Sequence, residues 1–138
     1  MDREVITQKL ESLRRSIHRA QASCPVELAK LKVDVDAQDI VTLNLTRAVQ
    51  LTVDIGTHLI AQSQEPAPRT MGQTFDSLQH LGIIHADLAL SLKKAVGFRN
   101  IAIHNYEAIN WEVVFSIVTE RLEDFADFAR AVESRLDN

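Results

Sequence analysis

The stretch NWEVVFSIVTERLEDFADFARAVESRL, residues 110–136, places Val114, Val118, Leu122, Phe125, Ala129, Val132 and Leu136 at steps of four, four, three, four, three and four. Steps of three and four put side chains on one face of an α-helix, and an apolar face of that length must be covered by other helices. Asn110 stands where a helix N-cap is expected. The same period, less regular, recurs upstream. Residues 3–22 carry Val5, Leu10, Leu13 and Ile17 up to Pro25, and a short helix is expected over residues 26–32. A long helix opens near Asp36, with Asp39 as a weak capping partner, and its expected stripe is Ile40, Leu43, Ala48, Leu51, Ile55 and Leu59. Gly56 inside that stripe predicts a close helix–helix approach. Pro66 and Pro68 mark a loop over residues 64–71, after which Thr70 and Gln73 cap a helix to residue 81, closed by Gly82. The next helix starts near His85, carries Leu88, Leu90, Leu92 and Val96, and is expected to kink or break at Gly97. No alternation of period two is sustained. The reading is an all-α, up-and-down bundle of four to five helices, one domain over residues 1–138.

Composition agrees. The 138 residues include 4 Gly and 3 Pro, too few for a turn-rich β or α/β architecture. A net charge of -4 excludes binding nucleic acid through a general basic coat. The charge is uneven, however. Residues 66–106 hold four Lys/Arg against two Asp/Glu, whereas residues 107–138 hold three against eight. One cysteine, Cys24, allows no internal disulfide, and the first sixteen residues are charged throughout. No apolar run is long enough to span a bilayer. A cytoplasmic protein without signal peptide or membrane segment is expected.

The positive segment contains the densest chemistry, Gly97-Phe98-Arg99-Asn100-Ile101-Ala102-Ile103-His104-Asn105-Tyr106. Arginine presents a planar fork of donors that matches a phosphate. Histidine titrates near neutrality and serves as general acid or base. Together, without a metal, they suffice to split an RNA phosphodiester with the RNA's own 2′-hydroxyl as nucleophile. Asn100 and His104, four apart, share a helix face. Arg99 and His104, five apart, are separated by ~140° around an ideal helix. The two meet if the long Arg99 side chain bends round, or if a second copy of the motif faces the first across a two-fold axis. The second arrangement is favoured.

Arg99-Asn100-x-x-x-His104-x-Tyr106 resembles the motif of the HEPN superfamily, and most closely the HepT-like toxins encoded beside a minimal nucleotidyltransferase antitoxin. The stretch Asp36-Ala37-Gln38-Asp39-Ile40-Val41, then Ala48-Val49-Gln50 with Asp54, and Phe75-x-x-Leu78-x-x-x-Gly82 extend the resemblance over most of the chain. It implies a homodimeric, metal-independent endoribonuclease acting as the toxin of a toxin–antitoxin pair, without a cofactor. It implies that Arg99 and His104 are catalytic, that Asn100 supports them, and that the partner nucleotidyltransferase attaches AMP to Tyr106. Nucleotide there would bring charge and bulk two residues from His104 and repel an RNA backbone. Asp54 matches an acidic position of the family's second long helix, and reads equally as a site residue or as a buried ion-pair acid. Lys93 and Lys94 are candidate RNA contacts.

Blander readings stand beside these. Arg14, Arg15 and Arg19 read as a solvated face, and Phe98, Phe115, Phe125 and Phe128 as core and interface. A non-catalytic helical module that binds a nucleotidyltransferase or a nucleotide is the alternative function. No Glu precedes any His by three residues, as a di-iron bundle requires, and Cys24 lacks a zinc-ligand pattern. No phosphate-binding glycine loop and no serine nucleophile elbow occur.

Overall fold

The computed structural model describes residues 2–137, which form helices and connecting turns without a β-strand. Helix α1 spans Arg3–Ser23, α2 is a single turn at Leu28–Leu31, and α3 spans Val35–Ala61. Helices α4 (Met71–His80) and α5 (Ala86–His104) follow, then a 3₁₀ turn at Tyr106–Ala108. The last column comprises α6 (Trp111–Ser116), a π-helical turn (Ile117–Arg121) and α7 (Leu122–Leu136). Helix α1 lies along α3, α4 bridges α3 and α5, and α7 closes against α1 and α5. Among the described residues no helix is long and apolar enough to cross a membrane.

Caps fix the boundaries. The carboxylate of Asp2 accepts from the backbone N–H of Val5, and that of Asp34 from Ala37. Asp34, not Asp36, is therefore the N-cap of α3. Thr70 Oγ1 accepts from the Gln73 amide, but Gln73 returns its bond to the Arg69 amide, one residue before the cap. Gly82, with φ 74°, ends α4 as its left-handed residue. There the Ile83 amide reaches back to the Leu78 carbonyl and the Gly82 amide to that of Gln79. Asn110 caps α6 through Glu112, as its position predicts.

Buried side chains gather in two clusters. The larger holds Ile6, Leu10, Leu13, Val49, Ile55, Phe75, Leu92, Phe128 and Val132, with Phe75 and Phe128 edge-to-face at a 6.3 Å centroid distance. Gly56 lies in it. A Cβ at Gly56 would stand 2.6 Å from Thr74 Cγ2, so the glycine is what lets α3 and α4 touch. The smaller cluster, at the other end, packs Ala20, Leu31, Val41, Leu45, Phe98, Ala102, Val114 and Val118.

Three sequence expectations are corrected. Ile40, Leu43 and Leu90 are exposed by 38%, 48% and 54%. The first half of α3 buries Val41, Leu45 and Val49 instead, whereas Ala48, Ile55 and Leu59 of the expected stripe are buried as read. Helix α5 passes Gly97 unbroken, and a Cβ there would meet nothing within 4 Å. The last stripe is buried as expected except for the half-buried Leu122, and its helix is not uniform, because the π turn lies between Val114 and Leu122.

Candidate active site

Arg99 leaves the buried side of α5 toward α3, where its charge is held without being neutralised. One guanidinium nitrogen donates to Gln50 Oε1 at 3.3 Å and another to Asn100 Oδ1 at 3.2 Å. Gln50 Nε2 in turn donates to Asp54 Oδ1 at 2.9 Å, and Lys9 Nζ lies 3.7 Å from Asp54 Oδ2. The acid nearest Arg99 in this network is thus insulated from it by a carboxamide and shared with a lysine. The two acceptors on Arg99 are neutral amides. An incoming phosphate competes with them far more easily than with a carboxylate, because only a carboxylate cancels the charge. Arg99 Nε is buried with no partner among the described residues.

His104 is the last residue of α5 and is exposed, as is Asn100 one turn before it. No hydrogen bond joins Arg99 to His104 within the chain. The five-residue separation puts them ~140° apart, and Arg99 turns to α3 rather than round the helix toward His104. Leu90, Lys93, Lys94, Gly97, Asn100, Ile101 and His104 are all exposed and recur at three- and four-residue steps along the outer face of α5. Gly97 sits at its middle with open space above it. Ile40 and Leu43 of α3, and Ile103 at the end of α5, are also uncovered, with Ile103 at 53%.

Tyr106, in the 3₁₀ turn, reaches back to α3. Its hydroxyl donates to Asp39 Oδ1 at 2.6 Å, and its ring meets Trp111 edge-on at 6.1 Å. Burial, and then the bond to Asp39, push the phenol pKa up to about 12. Tyr106 remains 40% exposed. Beside it a cavity of about 300 Å³ runs over Thr42, Thr46 and Ala102. Asp39, expected only as a capping partner, is therefore the group that orients Tyr106.

The two lysines part company. Lys93 pairs with Asp76 of α4 at 2.9 Å. Lys94 lines a separate cavity of about 360 Å³, together with Phe98, Arg121 and Asp124. Neither is hydrogen-bonded to Arg99, Asn100 or His104. Cys24 is a free thiol whose pKa is raised by burial, which keeps it protonated and poorly nucleophilic. Among the described residues no three His, Cys, Asp or Glu side chains gather as a metal site would require. Gln50 is the residue that sequence reasoning missed as a site member. Its contact with Arg99 joins positions 49 apart, and the sequence offered only its place in the resembling run Ala48-Val49-Gln50, one turn before Asp54.

Residues 4–132 match the family model described as ribonuclease HepT-like. An mRNA nuclease HepT of Shewanella oneidensis is 34% identical over 131 residues, 95% of this chain and 98% of that protein. A tRNA nuclease HepT of Aphanizomenon flos-aquae is 25% identical over 72% of this chain and 68% of its own. A solved structure, the tri-AMPylated Shewanella oneidensis HEPN toxin in complex with its MNT antitoxin, superposes with a TM-score of 0.89. It is 34% identical and matches 97% of this chain and 99% of its own.

Proposed function

The chain belongs to the ribonuclease HepT-like family, and from that premise we propose that it is the toxin of a toxin–antitoxin pair, a metal-independent endoribonuclease silenced by AMPylation of Tyr106. The observation that carries this reading is Arg99, a half-buried guanidinium fastened to α3 by neutral acceptors and left with its charge available to an anion.

In the proposed reaction, His104 takes the proton of a ribose 2′-hydroxyl. The freed oxygen attacks the adjacent phosphorus, the bond to O5′ breaks, and O5′ leaves with a proton from water. The products are a 2′,3′-cyclic phosphate and a 5′-hydroxyl. Arg99 stabilises the added negative charge on phosphorus in the transition state. Gln50 positions Arg99 and keeps Asp54 off it, and Asn100 holds its other edge. A chain that separates Arg99 and His104 supports a cleft between two copies. We place that interface on the outer face of α5 with Ile40 and Leu43, where Gly97 lets a second α5 approach closely and Ile101 supplies apolar area.

The partner is a minimal nucleotidyltransferase antitoxin. Its target, the Tyr106 hydroxyl, is partly exposed, held by Asp39 and opens beside a cavity. An AMP chain on Tyr106 sets phosphates beside the cleft, where they occupy Arg99 and repel RNA. The test is cleavage of RNA by purified protein in excess chelator. The expected result is full activity in the wild type and none in Arg99→Ala or His104→Ala, with unchanged melting. Undiminished cleavage by both variants overturns the residue assignment. Harmless expression of unmodified wild type favours the non-catalytic module.

A further inference from the structure

A groove between α1 and α3 carries charge that the reaction above does not use. Arg15 and Arg19 line it from α1, and Arg47, Asn44, Gln50 and Asp54 from α3, around a cavity of about 440 Å³. None of the three arginines forms an ion pair among the described residues. Arg14, adjacent in sequence, pairs with Glu133, and Arg130 pairs with Glu123 and Asp127, whereas the three arginines of the groove keep their charge uncompensated. The one carboxylate lining it, Asp54, is already bonded to Gln50 and near Lys9. The run Arg14, Arg15 and Arg19, a solvated face by sequence, is thus divided between a structural ion pair and a cationic groove.

We propose that this groove binds the phosphodiester backbone of single-stranded RNA flanking the cleaved bond. The proposal rests on the ribonuclease reading for the position of that bond. Continuity with the site carries it. Gln50 lines the groove with its own surface and holds Arg99 with its Oε1, so one residue separates the arginine row from the reacting phosphate. Arg15 and Arg19 stand one turn apart, ~6 Å along α1, a spacing on the order of adjacent phosphates in an extended strand.

The test separates binding from cleavage. The probe is a fluorescent 20-nucleotide 2′-O-methyl RNA, which lacks the attacking hydroxyl, titrated with wild type and with the triple variant Arg15→Gln, Arg19→Gln and Arg47→Gln. All three side chains are exposed, and circular dichroism verifies that the variant stays folded. The expected result is a loss of about tenfold or more in affinity, with the slope of log K against log salt smaller by about 2, since each phosphate contact contributes ~0.7 on a single strand. Arg130→Gln, whose charge is already paired, should leave both unchanged. Equal affinity and slope in the triple variant overturn the proposal, as does absence of binding by the wild type. Loss of antitoxin binding with RNA affinity intact also overturns it, assigning the groove to a protein. A wild type that binds this RNA but cuts no unmodified RNA refutes the ribonuclease reading while leaving the groove in place.

Discussion

The two ends of α5 meet opposite demands. Up to Val96 the helix turns Leu88, Ala89, Leu92 and Val96 into the large core against Phe75 and Phe125. Beyond Gly97 its inner side narrows to Phe98 and Ala102 in the small cluster, and Ile101, Ile103 and His104 face outward. The first half is fastened by apolar burial. The second is fastened to α3 by the bond from Arg99 to Gln50, and the 3₁₀ turn just beyond it by the bond from Tyr106 to Asp39. The difference teaches that apolar burial holds the core end, while the other end leaves Ile101, Ile103 and His104 uncovered, where the proposed function puts a second copy.

The comparison breaks or sharpens with mutations at each end. His104→Ala should lower RNA cleavage by about 10²–10⁴-fold, the usual contribution of a general base, with no change in thermal midpoint. At the core end the pattern reverses. Phe128→Ala should cost about 3–5 kcal/mol in chemical denaturation, because a fully buried ring leaves a cavity against Phe75. If His104→Ala melted early, or Phe128→Ala unfolded no sooner, the division of labour along the molecule would be wrong. Gly56→Ala tests the α3–α4 contact and should destabilise by about 1–3 kcal/mol, since its Cβ would overlap Thr74 by more than alanine's helix propensity repays. Gln50→Glu should leave stability near wild type yet raise KM for RNA about tenfold with a smaller change in kcat, because a carboxylate now neutralises Arg99. An unchanged KM would remove Gln50 as a positioning residue.

The smallest effect is spectroscopic. Tyr106 is the single tyrosine, so absorbance at high pH reports it alone. Its midpoint should lie near 12 in the folded chain, against 10.0 for a free phenol, and fall toward the lower value in Asp39→Asn. The sign follows from linkage. Below pH 10 the phenol is protonated in folded and unfolded chains alike, and its contribution to stability is intact. Between 10 and 12 the unfolded chain ionises first, so stability declines as pH rises. An unchanged midpoint in Asp39→Asn would show that Asp39 does not hold the hydroxyl.

The sequence was a good guide where each helix reports its own period. The last stripe, the Asn110 cap, the Gly82 turn and the close approach at Gly56 all follow from local spacing. It misled where period alone cannot choose a face. Ile40 and Leu43 fit a stripe as well as Val41 and Leu45, and only the position of α1 decides between them. Gly97 carries the propensity of a break, but eleven residues of intact helix on its N-terminal side and the packing of Phe98, the next residue, override it. The π turn was invisible because the steps across it remain four and four. At the site, Arg99, Asn100, His104 and Tyr106 were legible as a run in sequence. Gln50 and Asp39 were not, because their roles come from contacts across 49 and 67 positions.

The central claim is that one site takes Arg99 from one copy and His104 from another. It is tested most directly by mixing two inactive variants. Arg99→Ala and His104→Ala proteins are unfolded together, refolded at equal ratio and assayed on RNA in excess chelator. Half of the random pairs carry one subunit of each kind, and each such pair regains one intact site of two. The account predicts that cleavage returns to about one quarter of the wild-type rate. A mixture that forms mixed dimers by native mass spectrometry and stays as inactive as its two parents would contradict it.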